Sequence, residues 1–197
     1  AFNAPLAGVI FALEELHRNF SIMVLLPSMA AAFTATIISR AIFGRATIFD
    51  IPDLQLLPIS YYGIVILVAL ASGLAGVIFN WGLLNIGRFY SLPCFKRPVE
   101  KIAFALICAG ILGYFLPEVL GGGNELINHL AKAPVSLQLL LLFLAGKLIF
   151  TLISYGCGVP GGFFLPMLVI GALCGSICAQ ILITLGWIEP AYATNIM

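Results

Sequence analysis

A run of glycines and one proline between two apolar segments has the composition of an anion site. Four glycines and one proline stand in the seven residues from Gly156 to Gly162, and no charged residue occurs from Leu148 to Ile188. Irregular backbone of this kind persists at membrane depth only where it is buried in protein or lines a wet cavity. The helix that follows begins with amides that lack intrahelical acceptors and carry about half a positive charge. The run therefore predicts that backbone amides bind an anion, loosely enough to release it.

A second break in the chain favours this interpretation. The residues from Pro117 to Asn124 read PEVLGGGN, which is too rich in glycine for a helix. Interrupted helices are the usual pointer to the substrate site of a transporter. The alternative for Gly156–Gly162 is a glycine hinge or a close helix crossing that binds no ligand.

Two adjacent acids, Glu14 and Glu15, lie at the end of a short apolar segment. A carboxylate on a membrane helix is costly and is treated as functional by default. Neighbours in a helix point to different faces, so the two acids do not share one role. The plain alternative is a pair of helix-end charges beside His17 and Arg18 at the membrane surface.

Metal and enzyme chemistry find little support in the sequence. The two histidines, His17 and His129, are too far apart to indicate a metal site, and the five cysteines include no CxxC pair. Cys174 and Cys178 lie one helical turn apart, where packing in a membrane helix is the favoured interpretation. An intramembrane hydrolase or transferase using Glu14 or Glu15 as general base is an alternative, but no HExxH or GxSxG pattern accompanies them. We therefore predict no catalytic residues, no metal and no cofactor.

The composition requires lipid as the solvent of this chain. Of its 197 residues, 62% are hydrophobic and 9% are charged, whereas soluble domains carry about 25% charged residues. A membrane crossing takes roughly 20 apolar residues. Runs without charge of about this length or longer occupy 19–39, 54–87 and 148–188, and a shorter one occupies 102–117. No basic stripe indicates a nucleic-acid partner. The predicted fold class is an all-α polytopic membrane protein.

The pattern predicts tilted and broken helices. The first is too short to cross the membrane, with Pro5 in its first turn and Asn3 as its cap. The second contains Pro27, which we expect to kink it. The third, at about 30 residues, is longer than a ~30 Å hydrocarbon core and must tilt. In order, the predicted helical segments are 4–16, 21–43, 59–90, 101–116, 125–130, 136–155 and 163–185, with an aqueous loop at 44–58.

Four basic residues and one acid in one loop set the predicted topology. Arg88, Lys96, Arg97 and Lys101 accompany Glu100, so the positive-inside rule predicts that this loop is cytoplasmic. One crossing earlier, the charge-balanced loop 44–58 is predicted to face outside.

Three stretches together resemble the CLC family of chloride channels and chloride/proton antiporters. Gly162-Phe163-Phe164-Leu165-Pro166 fits the family's GxFxP motif. The opening AFNAPLAG, followed by Glu14-Glu15, is similar to a second family segment, and Gly121-Gly122-Gly123 after Pro117-Glu118 is similar to a third. The three occur in the family's order over essentially the whole chain, which makes the resemblance specific.

The resemblance implies a site and a transport mode. It assigns anion binding to Gly162, Phe163, Phe164 and Pro166, with the amides of the two phenylalanines as ligands of a central chloride. Glu15 matches the inner proton-transfer carboxylate of the antiporter branch, where many channels carry an apolar residue. Chloride/proton antiport is therefore expected, with chloride and protons as partners. A passive CLC-type channel or an unrelated broken-helix transporter is the alternative.

The resemblance also implies an architecture. Residues 1–45 would end the first of two inverted repeats, and 58–197 would form the first part of the second. We expect a multi-pass protein in the lipid bilayer (the cell membrane if prokaryotic), assembled as a homodimer to which the first two helices contribute an interface. The family's gating glutamate would lie before Ala1 and its pore tyrosine after Met197, so we expect this chain to be a fragment.

Overall fold

The computed structural model describes residues 4–18, 20–44, 56–132 and 135–196, and these contain helices and no strand. The chain divides into two compact units, Ala1–Asp50 and Ile51–Met197, and each is described by itself. The predicted all-α class is confirmed. The predicted aqueous loop lies mostly outside the described residues.

The first unit begins with a short helix that changes its winding. Helix α1 covers Pro5–Phe11, with Pro5 at the first helical position and Ala4 at the cap, where no side chain caps the helix. The predicted cap Asn3 lies outside the described residues. A π-helical segment, Ala12–His17, continues from α1 and ends at Arg18 in the left-handed conformation, with φ 50°. The predicted length of this helix is confirmed, but its second half is more widely wound than predicted.

Helix α2, Ile22–Phe43, completes this unit and packs against α1. It begins where predicted, because the side chain of Ser21 accepts a hydrogen bond from the amide of Met23 at 3.3 Å. Pro27 lies within the helix, and none of the helix's residues is buried. An apolar helix exposed all round requires lipid or another protein segment around it.

The second unit opens with two long helices. A 3₁₀ turn, Ile59–Tyr61, leads into α3, Tyr62–Phe89. Helix α4 covers Pro98–Phe115 and so begins three residues before the predicted Lys101. The reason is local, since Pro98 occupies the first turn and the carboxylate of Glu100 accepts a hydrogen bond from the amide of Arg97 at 2.9 Å.

The remaining helices surround α7, which forms the centre of the unit. Helices α3, α5, α6 and α8 all pack against it, and Val169 and Leu173 on α7 are completely buried. Because several helices pack around α7, the position of its first residue and the direction of its axis are fixed. The helices are α5, Asn124–Lys132; α6, Leu137–Gly156; α7, Phe164–Thr184; and α8, Ala193–Ile196.

Five helices of the described chain are long and apolar enough to cross a membrane. They comprise α2, α3 with its preceding 3₁₀ turn, α4, α6 and α7. Their outer faces carry many exposed large apolar side chains, which is the arrangement that lipid stabilises. The chain is therefore an integral, multi-pass membrane protein, as predicted.

Candidate anion site and proton-transfer residue

The predicted break between two apolar segments is present. Helix α6 ends at Gly156, the chain is non-helical from Cys157, and α7 begins at Phe164 with Phe163 at its cap. Gly158 has φ +85°, a conformation that glycine adopts without strain. The helix starts one residue later than predicted.

The amides at the start of α7 form a cluster of donors. The helical ladder begins with the amide of Met167, which donates to the carbonyl of Phe163 at 3.0 Å, and Pro166 has no N–H. Within the described residues, the amides of Gly162, Phe163 and Leu165 donate no backbone hydrogen bond. Helix α7 is 21 residues long and adds the positive end of its dipole at this point. This arrangement can accept an anion.

A cavity of about 510 Å³ lies beside Gly162 and Phe163. Gly162, Phe163 and Pro166 line it, so three of the four predicted site residues share one cavity. Phe164 is the first residue of α7 and does not line it. The ring of Phe163 packs edge-on against Tyr155 of α6, with centroids 5.5 Å apart, which holds the two sides of the break together.

The second predicted break lies against the first turns of α7. A 3₁₀ turn, Pro117–Val119, precedes Gly121 at φ +62° and Gly123 at φ +84°. A Cβ built on Gly123 would lie 2.7 Å from Cγ2 of Val169, which is in the second turn of α7. Gly121 also lines the 510 Å³ cavity. The structure thus brings together the two breaks that the sequence placed about 40 residues apart.

Lys147 is a buried residue of this region that the sequence reasoning missed. Its side chain is 1% exposed, and its Nζ donates hydrogen bonds to the carbonyls of Val119, at 2.9 Å, and Gly121, at 2.8 Å. The sequence does contain a signal for this residue, because Lys147 is the one charged residue in the apolar segment that forms α6. An ionisable residue inside a membrane helix indicates a function.

An aromatic cluster fixes the end of α6 just before the first break. The phenol of Tyr90 donates a hydrogen bond to the carbonyl of Ile153 at 2.8 Å, and its ring packs against Phe95 and Phe104. Burial raises the pKa of Tyr90 to about 12, so the phenol remains a donor at physiological pH. A Cβ on Gly156 would lie 2.8 Å from the Tyr90 ring, so glycine is required there.

The predicted proton-transfer residue lies in the other unit. Glu15 belongs to the π-helical segment Ala12–His17, and the preceding Glu14 is exposed. Single π turns within helices are frequent at functional sites. No residue pattern in this segment predicts the π-helical winding.

Metal ligands are not grouped in the described part of the chain. No set of three or more His, Cys, Asp or Glu residues there could hold a metal ion. Cys174, which lies one helical turn before Cys178, is buried in a cluster with Phe79 and Ile170, where it acts as a packing residue.

Comparison with known proteins identifies a family for this chain. Residues 1–196 match the family described as voltage gated chloride channel. The chain is 33% identical over 181 residues to the H(+)/Cl(-) exchange transporter ClcA of Vibrio cholerae serotype O1, covering 89% of this chain and 38% of the relative. The corresponding protein of Citrobacter koseri is 34% identical over 184 residues, with the same coverage. The chain thus spans 38% of the length of these relatives.

Proposed function

Because the chain belongs to the voltage gated chloride channel family, we propose that it forms part of a membrane protein that exchanges chloride for protons. The relatives compared with it are named as H(+)/Cl(-) exchange transporters. The unrelated broken-helix transporter no longer competes, since the family match covers residues 1–196.

The observation that supports an anion site is the cluster of amides before α7. Gly162, Phe163 and Leu165 present N–H groups with no backbone acceptor in the described chain, at the positive end of a buried helix, and the first two line a 510 Å³ cavity. We assign the anion to Gly162, Phe163, Phe164 and Pro166. Phe164 contributes as the first helical residue and Pro166 by leaving its turn without a competing donor.

Proton transfer is assigned to Glu15. A carboxylate on a short apolar helix next to a spanning helix can take up protons from the inner surface and pass them on while chloride moves the other way. The π-helical winding at Ala12–His17 supports a specialised role for this segment. In this proposal Glu14 is an exposed surface charge.

The alternative within the family is a passive chloride channel. In a channel, chloride would move without protons, and Glu15 would be a helix-end charge. A general-base enzyme using Glu14 or Glu15 has less support, because the relatives are named as transporters and no nucleophile accompanies the two acids.

The assembly proposed is a homodimer of two-repeat subunits. Residues 1–45 would close the first inverted repeat and 58–197 would open the second. Helix α2 has no buried residue, which is consistent with a partner subunit or lipid against it. Light scattering on the full-length protein in detergent would separate a dimer from a monomer.

Proton coupling decides between the exchanger and the channel. The full-length protein would be reconstituted in liposomes, with chloride efflux and proton uptake recorded simultaneously. We expect coupled fluxes in the wild type, chloride flux without protons in Glu15→Gln, and unchanged coupling in the matched control Glu14→Gln. Coupling that persists in Glu15→Gln would overturn the assignment of Glu15, and chloride flux without protons in the wild type would establish the channel.

A further inference from the structure

A lysine buried in a membrane helix requires an explanation, and the anion site as described makes no use of Lys147. Its side chain is 1% exposed, and no carboxylate within the described residues pairs with it. Burying such a group is costly unless its donors are satisfied. Its Nζ donates hydrogen bonds to the carbonyls of Val119 and Gly121, both in the glycine-rich break before α5. Lys147 therefore stabilises this break by donating hydrogen bonds to its backbone carbonyls.

The break is held from two sides. On one side, α6 supplies Lys147 and also Gly146, whose Cβ would lie 3.5 Å from the side chain of Val119. On the other side, α7 supplies Leu165 and Val169: a Cβ on Gly122 would lie 3.2 Å from Leu165, and one on Gly123 would lie 2.7 Å from Val169. The break is thus clamped between α6 and the beginning of α7.

The residues that hold the glycine-rich break also adjoin the anion site. Leu165 lies two residues after Phe163, and Gly121, a carbonyl partner of Lys147, lines the same cavity as Gly162 and Phe163. A change in the position of the break would move one wall of the cavity and the first turn of α7 together, because close-packed segments transmit displacements.

We propose that Lys147 is a positioning residue: by holding the carbonyls of Val119 and Gly121, it fixes the glycine-rich break against the first turns of α7 and so sets the geometry of the anion-binding amides. The effect on anion binding rests on the proposed function. The mechanical part, that Lys147 holds the two segments in place, does not.

Hydrogen exchange in the full-length protein tests the mechanical part. Lys147→Met keeps the aliphatic stem but leaves both carbonyls without their donor. We expect exchange in peptides covering 117–124 and 159–167 to accelerate about tenfold or more, with peptides of α2 unchanged. Lys147→Arg should restore most of the protection, and Lys96→Met, the same change at an exposed loop position, should have no effect. Unchanged exchange at 159–167 in Lys147→Met would overturn the proposal.

Chloride affinity, measured by calorimetry, separates positioning from a simple effect of charge. Gly122→Ala presses the break against α7, since its Cβ would lie 3.2 Å from Leu165, and it changes no charge and has no Lys147 atom among its nearest neighbours. If Lys147 acts by positioning, both Lys147→Met and Gly122→Ala raise the Kd for chloride, the former about tenfold, and the double variant falls short of the product of the two effects. A normal Kd in Gly122→Ala beside a raised Kd in Lys147→Met would overturn positioning.

Two further outcomes are a Lys147→Met variant that does not fold and a wild type that binds no chloride. If Lys147→Met does not fold, Gly122→Ala is used instead, because the new Cβ at position 122 would press on Leu165. Loss of exchange protection at 159–167 in this variant supports the proposal, and retained protection overturns it. If the wild type binds no chloride, the proposed function fails, and the exchange experiment still decides whether Lys147 holds the two segments.

Discussion

The Nζ of Lys147 donates a hydrogen bond to the carbonyl of Gly121 at 2.8 Å, across 26 residues of sequence. This bond connects α6, which ends at the first break, with the glycine-rich second break. Both breaks border one cavity, so the irregular backbone in this unit is concentrated at one place. The concentration agrees with the rule that non-helical backbone at membrane depth lines a cavity or is buried in protein.

The amide of Phe163 is predicted to contribute directly to chloride affinity. Replacing Phe163 with its α-hydroxy acid analogue turns this amide into an ester, which removes the N–H but keeps the ring and the φ of −104°, a value that proline could not adopt. Loss of one hydrogen bond to a charged ligand costs about 1.5–3 kcal/mol, so the Kd for chloride should rise roughly 10- to 100-fold. Calorimetric titration of the full-length protein measures this change.

The matched control for this prediction is Phe163→Ala. It loses the ring contact with Tyr155 but keeps the amide, and its Kd should stay within about threefold of the wild type. An equal loss of affinity in the alanine and ester variants would contradict a role for the amide.

Gly158 is predicted to be indispensable for the shape of the first break. Its φ of +85° is strained for any other residue, so Gly158→Ala should lower the free energy of unfolding by about 1–2 kcal/mol. Gly161→Ala is the control, because its Cβ would meet only the carbonyl of Val159, at 4.0 Å, and it lacks a left-handed φ. Thermal unfolding of both variants in the same detergent provides the measurement, and equal melting temperatures would refute the prediction.

Gly156 is predicted to be required for contact between α6 and the aromatic cluster. A Cβ there would lie 2.6 Å from Ile86 and 2.8 Å from Tyr90. Gly156→Ala should therefore destabilise the protein by about 1–3 kcal/mol through overpacking. Gly87→Ala, at an exposed helical position with nothing within 4 Å, should be neutral or slightly stabilising. Thermal unfolding compares the two, and a stable Gly156→Ala would show that the cluster adapts.

Local composition was enough to predict much of this fold. Both breaks follow from glycine clusters such as the one at Gly121–Gly123, and the crossings α2, α3 and α7 follow from long runs without charge. The start of α7 was predicted within one residue, because Pro166 and the glycines before Phe163 leave few alternatives. These features depend on neighbours in sequence, which is why a pattern can identify them.

The features that escaped prediction depend on distant contacts or subtle winding. Lys147 pairs with carbonyls 26 and 28 residues upstream, a relationship that no local pattern specifies. The π-helical winding at Ala12–His17 has no compositional signature, since the same residues could form an α-helix. The early start of α4 could have been predicted from Pro98 and Glu100, which together favour a helix start.

The phenol of Tyr90 is predicted to stabilise the fold in a pH-dependent way. Tyr90→Phe removes its hydrogen bond to the carbonyl of Ile153, at 2.8 Å, and should cost about 1 kcal/mol at pH 7. Burial raises the pKa of this phenol from 10.0 to about 12, so between these values the unfolded chain loses the proton while the folded protein keeps it. The stability that Tyr90 contributes is therefore fully present below pH 10 and declines as the pH rises towards 12. Melting temperatures of wild type and Tyr90→Phe should differ by a constant amount from pH 6 to 9 and converge above pH 10. A difference that is constant up to pH 11, or one that widens, would contradict a buried and protonated phenol at this position.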